Sequence, residues 1–240
     1  MKAVVREIIR HSIPIEVLVP PLDGSFNADQ LIGAGLVREA QAAYVGFEIY
    51  GLANRFRAAV EAGILKVRDM DEAGYLLALQ AGAAGLAFAA LPPGFLPRTG
   101  SIPGVASANE VDYRPVLCPF TGRQEMLVRA IAPHVSIIHC QFVDADGNCG
   151  FLGAPFLDLE MARAGAKCLV QAEQQVDVLP AACRAHLPAY AVDAWCIVPG
   201  GAHPGSSHGL YQYDGEHLSA YAQASRTGAP SPSRTPARCG

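Results

Sequence analysis

The sequence predicts an α/β protein built on an open, mainly parallel sheet with helices on both faces. Three observations support this fold class. Of the 240 residues, 51% are hydrophobic, short β-like runs recur along the chain, and most of these runs alternate with helical patterns. Several runs are continuously apolar, as in strands that are covered on both faces. Strands that alternate with helices of this length form βαβ units and hence parallel sheets.

The predicted strands are short apolar runs bounded by turn residues. They cover residues 15–19, 42–47, 64–68, 86–91, 126–131, 135–143, 167–172 and 190–198. The predicted helices carry recognisable end signals. Asn27 followed by Gln30 forms a capping box, Gly63 is a typical residue after a helix end, and Asp71 can cap the helix that follows it. These helices cover residues 28–34, 52–62, 76–81, 157–164 and 216–224.

Two segments lack this alternation. Residues 91–123 contain six prolines, and their apolar side chains predict an ordered, functional loop. Residues 227–240 have no periodicity and little to bury, so they are predicted to be a disordered tail after a domain spanning 1–226. The first helical pattern, at 2–11, precedes the first strand. A doubly wound sheet normally begins with a strand and its ligand loop, so we expect such a strand to be missing.

Composition excludes several classes of protein. The formal net charge of −4 argues against a nucleic-acid partner, which requires a basic face. No apolar run reaches the ~18–20 residues that cross a bilayer, so no membrane association is expected. The seven cysteines are odd in number and form no C-x-x-C pair, which argues against a disulfide scaffold. These features predict a cytoplasmic protein.

Three motifs match known sites incompletely. Ser207 lies in a G-x-S-x-G sequence, but Gly200, Gly201 and Pro204 separate it from the preceding strand, unlike a serine-hydrolase elbow. Residues 144–148 resemble a calcium loop, yet the glycine is in the fourth position, so a tight turn is favoured over a metal site. Residues 33–35 follow a helix, where a dinucleotide fingerprint would follow a strand.

Other polar residues lie where ligands bind in open α/β sheets, beyond the carboxyl ends of strands. His203 and His208 occupy a glycine-rich loop after the last strand. Glu48 and Glu173 also follow strands, as does the cluster of Asp69, Asp71 and Glu72. Helix capping explains this cluster as well as a ligand site does, so both interpretations remain open.

Seven stretches in order resemble the alpha (A) subunit of family I coenzyme A transferases, which include glutaconate and 3-oxoacid CoA-transferases. They are LIGAG at 31–35, AYVGFE at 43–48, QAGAAG at 80–85, PFTG at 119–122, ADGN at 145–148, QAE at 171–173 and GGAHP at 200–204, the last followed by Tyr211 and Asp214. The resemblance covers residues 3–225. It implies a Rossmann-like sheet, a B subunit of similar fold and often a heterotetramer.

The resemblance also implies a chemistry. In such enzymes the acyl-CoA is attacked by a glutamate of the B subunit, forming a mixed anhydride and then a glutamyl-CoA thioester, and the motif around that glutamate has no match here. Coenzyme A would be a substrate, with no permanently bound cofactor, and the partners would be an acyl-CoA and a small carboxylic acid. The predicted substrate-binding residues are Phe47, Glu48, Gly94, Phe95, Gly201 and His203.

A second branch of the superfamily, the CoA-dependent ring-opening hydrolases, places a working glutamate in the alpha subunit. Glu72 in RDMDE at 68–72 is the matching position, so it is the candidate catalytic residue of that branch. Pro204 and the PFTG stretch look more like the transferases, which favours transfer. A serine hydrolase and a non-catalytic subunit are further alternatives. The glycine-rich G-G-F-G-like loop that alpha subunits of the family carry before their first helix is absent, which puts activity of this chain alone in doubt.

Overall fold

The strands form three sheets in the part of the chain that the computed structural model describes, residues 2–21, 26–92 and 112–227. The first sheet is parallel, in the order β1-β2-β3. Its apolar core is formed with the flanking helices, through Val5, Leu31 and Val37 among others. The elements are α1 (Lys2–Arg10), β1 (Ile15–Leu18), α2 (Phe26–Gly33), β2 (Val37–Ala42), α3 (Asn54–Glu61) and β3 (Lys66–Asp69).

The second sheet is antiparallel, in the order β4-β6-β5. One face packs on α4, where Tyr75, Leu79 and Val128 are fully buried. Asp71 caps α4, because its Oδ1 accepts a 2.6 Å hydrogen bond from the Gly74 amide. The elements are α4 (Glu72–Ala83), β4 (Phe88–Ala90), β5 (Tyr113–Leu117) and β6 (Gln124–Arg129).

The third sheet is mixed, in the order β10-β8-β7-β9-β11. Strands β7, β9 and β11 are parallel, whereas β8 pairs antiparallel with β7 and β10 pairs antiparallel with β8. Ile138, Cys140 and Val170 pack against α5. The elements are β7 (Val135–Val143), β8 (Cys149–Phe151), α5 (Asp158–Ala164), β9 (Lys167–Gln175), β10 (Ala185–Leu187), β11 (Ala194–Ile197) and α6 (Gly215–Thr227).

Helix α6 is attached to the first sheet's helices by a buried aromatic and polar contact. The Tyr221 hydroxyl donates to Asp29 Oδ2 at 2.8 Å, and the Phe56 amide donates to Asp29 Oδ1 at 2.9 Å. Burial raises the pKa of the Asp29 carboxyl, although these hydrogen bonds oppose the increase. Phe26 and Phe47 stack beside Tyr221 with ring centroids 4.2 Å apart. The middle of α6 is therefore fixed against α2 and α3.

The predicted α/β class, with parallel strands and packed helices, is confirmed. The strands are divided among three sheets where one open sheet was expected. The antiparallel β8 follows from the predicted turn at 144–148. Its Asp144 side chain accepts the amides of Asp146 and Asn148 at 3.0 and 2.9 Å, and so tight a connection can only join antiparallel strands.

Two strand predictions differ from the structure. The strand predicted at 42–47 lies earlier, at β2, because the polar Gln41 is accommodated in the interior by a hydrogen bond to Met70 Sδ. The predicted loop at 91–123 contains β5, whose Pro115 is tolerated because β5 is an edge strand. Of the predicted tail, residues 228–240 lie outside the described residues.

Among the described helices, none combines the length and the apolar character that crossing a bilayer requires.

Candidate functional site

The polar site is centred on Glu173 in β9, next to the loop that follows β11. Strands β9 and β11 are parallel neighbours, and ligand sites of such sheets form beyond their carboxyl ends. Glu173 is 2% exposed. Its Oε2 accepts the Gly200 amide at 2.6 Å, and its Oε1 accepts the Tyr211 hydroxyl. The Glu173 carboxyl group thus fixes the start of the loop at 200–203.

Two further hydrogen bonds and one close contact extend this Glu173 network. Tyr211 Oη accepts the Ala202 amide at 2.9 Å, so the same hydroxyl contacts both the carboxyl group and the loop. Burial, followed by the Glu173 carboxyl group, raises the pKa of Tyr211 well above its usual range, which keeps it a donor at neutral pH. His139 Nε2 lies 3.0 Å from Glu173 Oε1, and Gln171 Nε2 lies 3.0 Å from His139 Nδ1.

These contacts define the protonation of His139. Gln171 Oε1 accepts the Val4 amide at 3.3 Å, which assigns its Nε2 as the donor to His139 Nδ1. An imidazole that accepts at Nδ1 is neutral and carries its proton on Nε2, the nitrogen that lies 3.0 Å from Glu173 Oε1. Burial lowers the pKa of His139 to about 3, in agreement with this tautomer.

The neutral His139 predicts acid-sensitive stability. Because the folded-state pKa is below the unfolded value, stability is complete above pH ~6.5 and is lost as the unfolded chain alone takes up a proton. The free energy of unfolding should fall by about 1.4 kcal/mol per pH unit, or about 2 kcal/mol between pH 6.5 and 5. Urea unfolding at pH 7.5 and 5.0 measures it. His139→Gln should lose this pH dependence and the exposed His186→Gln should keep it, whereas the same slope in all three proteins would contradict the assignment.

Helix α1 also holds the loop at 200–203 in place. The Ala3 amide donates to the Gly201 carbonyl at 3.3 Å, and Arg6 Nη2 donates to the His203 carbonyl at 2.8 Å. Gly201 is buried, and a Cβ placed there would lie 2.2 Å from Gln171 Nε2. Only glycine fits this contact between the loop and β9.

His203 is paired with the residue that begins α6. Its Nε2 lies 3.0 Å from Asp214 Oδ2, and Asp214 Oδ1 accepts the His217 amide at 2.9 Å. The His217 amide and the His203 side chain lower the pKa of the Asp214 carboxyl. The backbone of His203 therefore belongs to the loop, while its imidazole is directed to α6.

The turn that contains Glu48 lies beside this pair. Glu48–Tyr50 is a short 3-10 turn after β2, and Glu48 is exposed with a φ of 50°, a conformation that a non-glycine residue adopts at an energetic cost. Tyr50 hydrogen-bonds Tyr213 and lies near Asp214, and burial followed by these neighbours raises its pKa. The structure therefore brings Glu48, Gly201 and His203 into one region.

The other predicted site residues are placed differently. Phe47 is 1% exposed and stacked on Phe26, so its ring is enclosed by this chain's own aromatic residues. Gly94 and Phe95 lie outside the described residues. Glu72 is exposed in the first turn of α4. Its neighbour Asp71 accepts the Tyr113 hydroxyl at 2.6 Å, which connects this corner to β5.

The serine-hydrolase interpretation of Ser207 is not supported by its surroundings. Ser207 is 1% exposed, and its Oγ accepts a 3.2 Å hydrogen bond from Gln141 Nε2. A nucleophilic serine requires a general base, most often a histidine, within hydrogen-bond reach. Within the described residues, Asp214 pairs with His203 instead of orienting a base toward Ser207.

Ser207→Ala is accordingly expected to leave the activity of the protein within about threefold, which is far less than the loss of a nucleophile causes. Stability should fall by about 1–3 kcal/mol, because Gln141 Nε2 loses a buried acceptor. A fluorophosphonate probe should leave the native chain unlabelled. Stoichiometric labelling that disappears in the alanine variant would establish a serine nucleophile.

Sequence reasoning identified part of this site. Glu173 was placed by its position at a strand end, and Gly201 and His203 by the glycine-rich loop. The roles of His139, Gln171 and Tyr211 were not anticipated. The sequence does contain a signal for His139 and Gln171, since both are polar residues in otherwise apolar strands. Polar residues at alternate positions of a strand share one face of the sheet, and the pairing of β7 with β9 places His139 beside Gln171.

Comparison with known proteins gives a consistent result. A family model described as Coenzyme A transferase matches residues 2–194. The chain is 36% identical over 200 residues to the A subunit of 3-oxoadipate CoA-transferase from Pseudomonas knackmussii, covering 80% of this chain and 67% of that protein. It is 28% identical over 214 residues to the A subunit of glutaconate CoA-transferase from Acidaminococcus fermentans, covering 83% and 66%. The chain thus spans about two thirds of these relatives.

Two solved structures are similar over nearly the whole chain. Glutaconate coenzyme A-transferase from Acidaminococcus fermentans matches with a TM-score of 0.79 at 26% identity, covering 95% of this chain and 75% of that one. A variant of the decarboxylase AibA/AibB matches with a TM-score of 0.80 at 27% identity, covering 95% and 83%.

Proposed function

Because the chain belongs to the coenzyme A transferase family, we propose that it is the alpha subunit of a two-subunit enzyme that moves CoA between an acyl-CoA and a carboxylic acid. The observation that carries this proposal is the family match over residues 2–194. It is supported by two relatives that are, by name, the A subunits of CoA-transferases. The acids in both names carry two carboxyl groups, so a short dicarboxylic acid is the proposed substrate class.

The nucleophile in this proposal is a glutamate of the partner B subunit. Its carboxylate attacks the thioester carbonyl, and the C–S bond breaks to give an acyl-glutamyl anhydride and the CoA thiolate. The thiolate then attacks the glutamyl carbonyl, which releases the carboxylic acid and leaves a glutamyl-CoA thioester. Attack by the second acid reverses these steps. The covalent intermediates divide one difficult exchange into easier steps and conserve the thioester bond.

The alpha subunit would contribute a rigid wall to the substrate site. The loop at 200–203 is held by Glu173 from β9 and by Ala3 and Arg6 from α1. We place the substrate contacts of this chain at the loop that contains Gly201 and His203 and at the exposed Glu48. A loop that its own chain already holds in place binds a ligand without a further ordering cost. The His203 imidazole is engaged with Asp214 and is not assigned to the substrate.

Reconstitution tests the proposal. The chain is co-purified with a B-subunit-like protein. The complex is then assayed with the CoA thioester of a short dicarboxylic acid and with a second, labelled carboxylic acid. We expect appearance of the label in a new CoA ester, dependent on both proteins. Neither chain alone should be active. A complex that assembles and hydrolyses the ester without forming a new one would contradict the transfer reaction.

Glu72 separates this proposal from a ring-opening hydrolase, in which it would be the base. In a transferase it lies only at a helix start, where a charge contributes about 0.3–1 kcal/mol. Glu72→Gln should therefore keep acyl exchange within about tenfold, whereas losing a positioned base costs about 10²–10⁴-fold. Exchange and hydrolysis are measured in the reconstituted complex. Glu61→Gln, which removes an exposed helical carboxylate from α3, is the matched control.

A decarboxylase is the second candidate function, because the AibA/AibB structure matches as well as the transferase does. One fold can host both chemistries. In a decarboxylase the carboxylate of the substrate leaves as CO₂ and the CoA ester is retained. Measuring CO₂ release in the exchange assay distinguishes the two, since a transferase transfers the label without releasing gas.

A further inference from the structure

A second cluster of ionisable groups lies where the 200–203 loop meets α6. One ligand atom each from His203, Asp214 and His217 lies within 4.8 Å of the other two. The three residues come from two segments, the loop after β11 and the first turn of α6. His217 is 7% exposed, and the side chains of His203 and Asp214 are 22% and 33% exposed. The cluster is therefore largely enclosed but can be reached from solvent.

Hydrogen bonding inside the cluster explains only part of its geometry. His203 Nε2 and Asp214 Oδ2 are 3.0 Å apart, which accounts for one imidazole. The His217 ring approaches His203 edge to face, with centroids 5.3 Å apart and planes at 78°. Within the described part of the chain, the buried Nδ1 of His203 has no hydrogen-bond partner. A buried nitrogen without a partner costs about 1–3 kcal/mol, and a cation bound at that nitrogen would remove the cost.

We propose that His203, Asp214 and His217 form a binding site for a divalent transition-metal ion of the zinc class. Two imidazoles and one carboxylate suit Zn²⁺, Co²⁺ and Fe²⁺, whereas Mg²⁺ and Ca²⁺ prefer oxygen ligands alone. Ligand atoms of a tetrahedral zinc site lie about 3.3 Å apart, given Zn–N and Zn–O distances of about 2.0–2.2 Å. Side-chain rotations would bring the three groups from their present separations, all within 4.8 Å, to that spacing. A water molecule would occupy the fourth position, as in other zinc sites with three protein ligands.

The ion would add a connection between the loop and α6, which the His203–Asp214 pair already joins. Asp214 caps α6 through the His217 amide, and α6 is in turn fixed to α2 and α3 through Tyr221 and Asp29. His203 belongs to the loop that Glu173 holds from β9. A metal bound here would hold the loop from α6, as the Glu173 network holds it from the sheet. This role does not depend on the transferase assignment.

Metal titration of the full chain tests the site. The protein is treated with EDTA, desalted and titrated with ZnCl₂ by calorimetry and with CoCl₂ by visible absorption. We expect one equivalent to bind with a Kd of about micromolar or tighter, with the intense absorption of tetrahedral Co²⁺. The melting temperature should rise with the ion, and excess MgCl₂ should not displace it.

The variants make the result specific. His203→Gln and His217→Gln should each weaken Zn²⁺ binding about a hundredfold or more, since removing even supporting groups costs 10–100-fold. Asp214→Asn keeps an oxygen to cap α6 and should weaken binding to a similar extent without loss of fold. The exposed His186→Gln is the control and should bind as the native chain does. No stoichiometric binding, or binding that survives His217→Gln in a folded protein, would overturn the proposal.

Discussion

Glu173→Ala is expected to lower the free energy of unfolding by about 3–5 kcal/mol, as the removal of one buried partner from a polar network does. The Gly200 amide and the Tyr211 hydroxyl lose their acceptor, and His139 loses the carboxylate 3.0 Å from its Nε2. Each unsatisfied donor costs about 1–3 kcal/mol, reduced by relaxation. Urea unfolding at pH 7.5 measures the change.

The more conservative Glu173→Gln should reduce the rate of acyl exchange by the reconstituted complex about 10²-fold, because small displacements of positioning groups cost that much.

A matched control and a double-mutant cycle make this prediction specific. Glu61→Ala, at an exposed carboxyl group, should change stability by less than about 0.5 kcal/mol. Tyr211→Phe combined with Glu173→Ala should show a coupling energy of about 0.5–3 kcal/mol, as residues in one network do. Strictly additive losses would show that Tyr211 and Glu173 do not act together.

Gly201→Ala is expected to cost about 3 kcal/mol, at the upper end for one added methyl group in a packed interior. The new Cβ would lie 2.2 Å from Gln171 Nε2 and 2.7 Å from the Val198 carbonyl. Gln171 can rotate away only by releasing His139, and Val198 cannot rotate because the contact is with its backbone. The loop must therefore move, so exchange activity should fall together with stability.

The control for this substitution is Gly205→Ala in the same region. The nearest atom to its added Cβ is the Ala202 carbonyl, at 3.0 Å, so the expected loss is about 1 kcal/mol or less. Thermal unfolding of the two variants measures the difference. Equal melting temperatures would contradict the close packing of Gly201 against β9.

The fold class follows from local patterns, whereas the grouping of strands does not. Continuous apolar runs such as 135–143 locate buried strands, and Asp71 locates the start of α4. The division into three sheets depends on which strands meet, which periodicity does not determine. Strands β8 and β10 have three residues each, too few to show an alternation. Strand β2 lies earlier in the chain than the predicted strand at 42–47. Its buried polar Gln41 is satisfied by Met70, a partner distant in sequence.

The site was predictable to the extent that strand ends mark ligand sites. Glu48, Glu173 and the glycine-rich loop were located in this way. The pairing of His139 with Gln171 and Glu173 depends on the register of β7 and β9, which the sequence does not reveal. Phe47 shows the opposite case. The resemblance to CoA-transferase alpha subunits implied a ligand contact for Phe47, but Phe26 and Tyr221 enclose its ring, and neither is near it in sequence.

The central claim is that this chain supports a CoA transfer whose covalent chemistry occurs on the partner. Trapping the intermediate tests it most directly. The reconstituted complex is incubated with acyl-CoA alone and treated with borohydride, which reduces a glutamyl thioester to an alcohol, and both chains are weighed by intact mass spectrometry. We predict a mass loss on the partner and an unchanged mass for this chain. Modification of this chain, at Glu48, Glu72 or Glu173, would contradict the account.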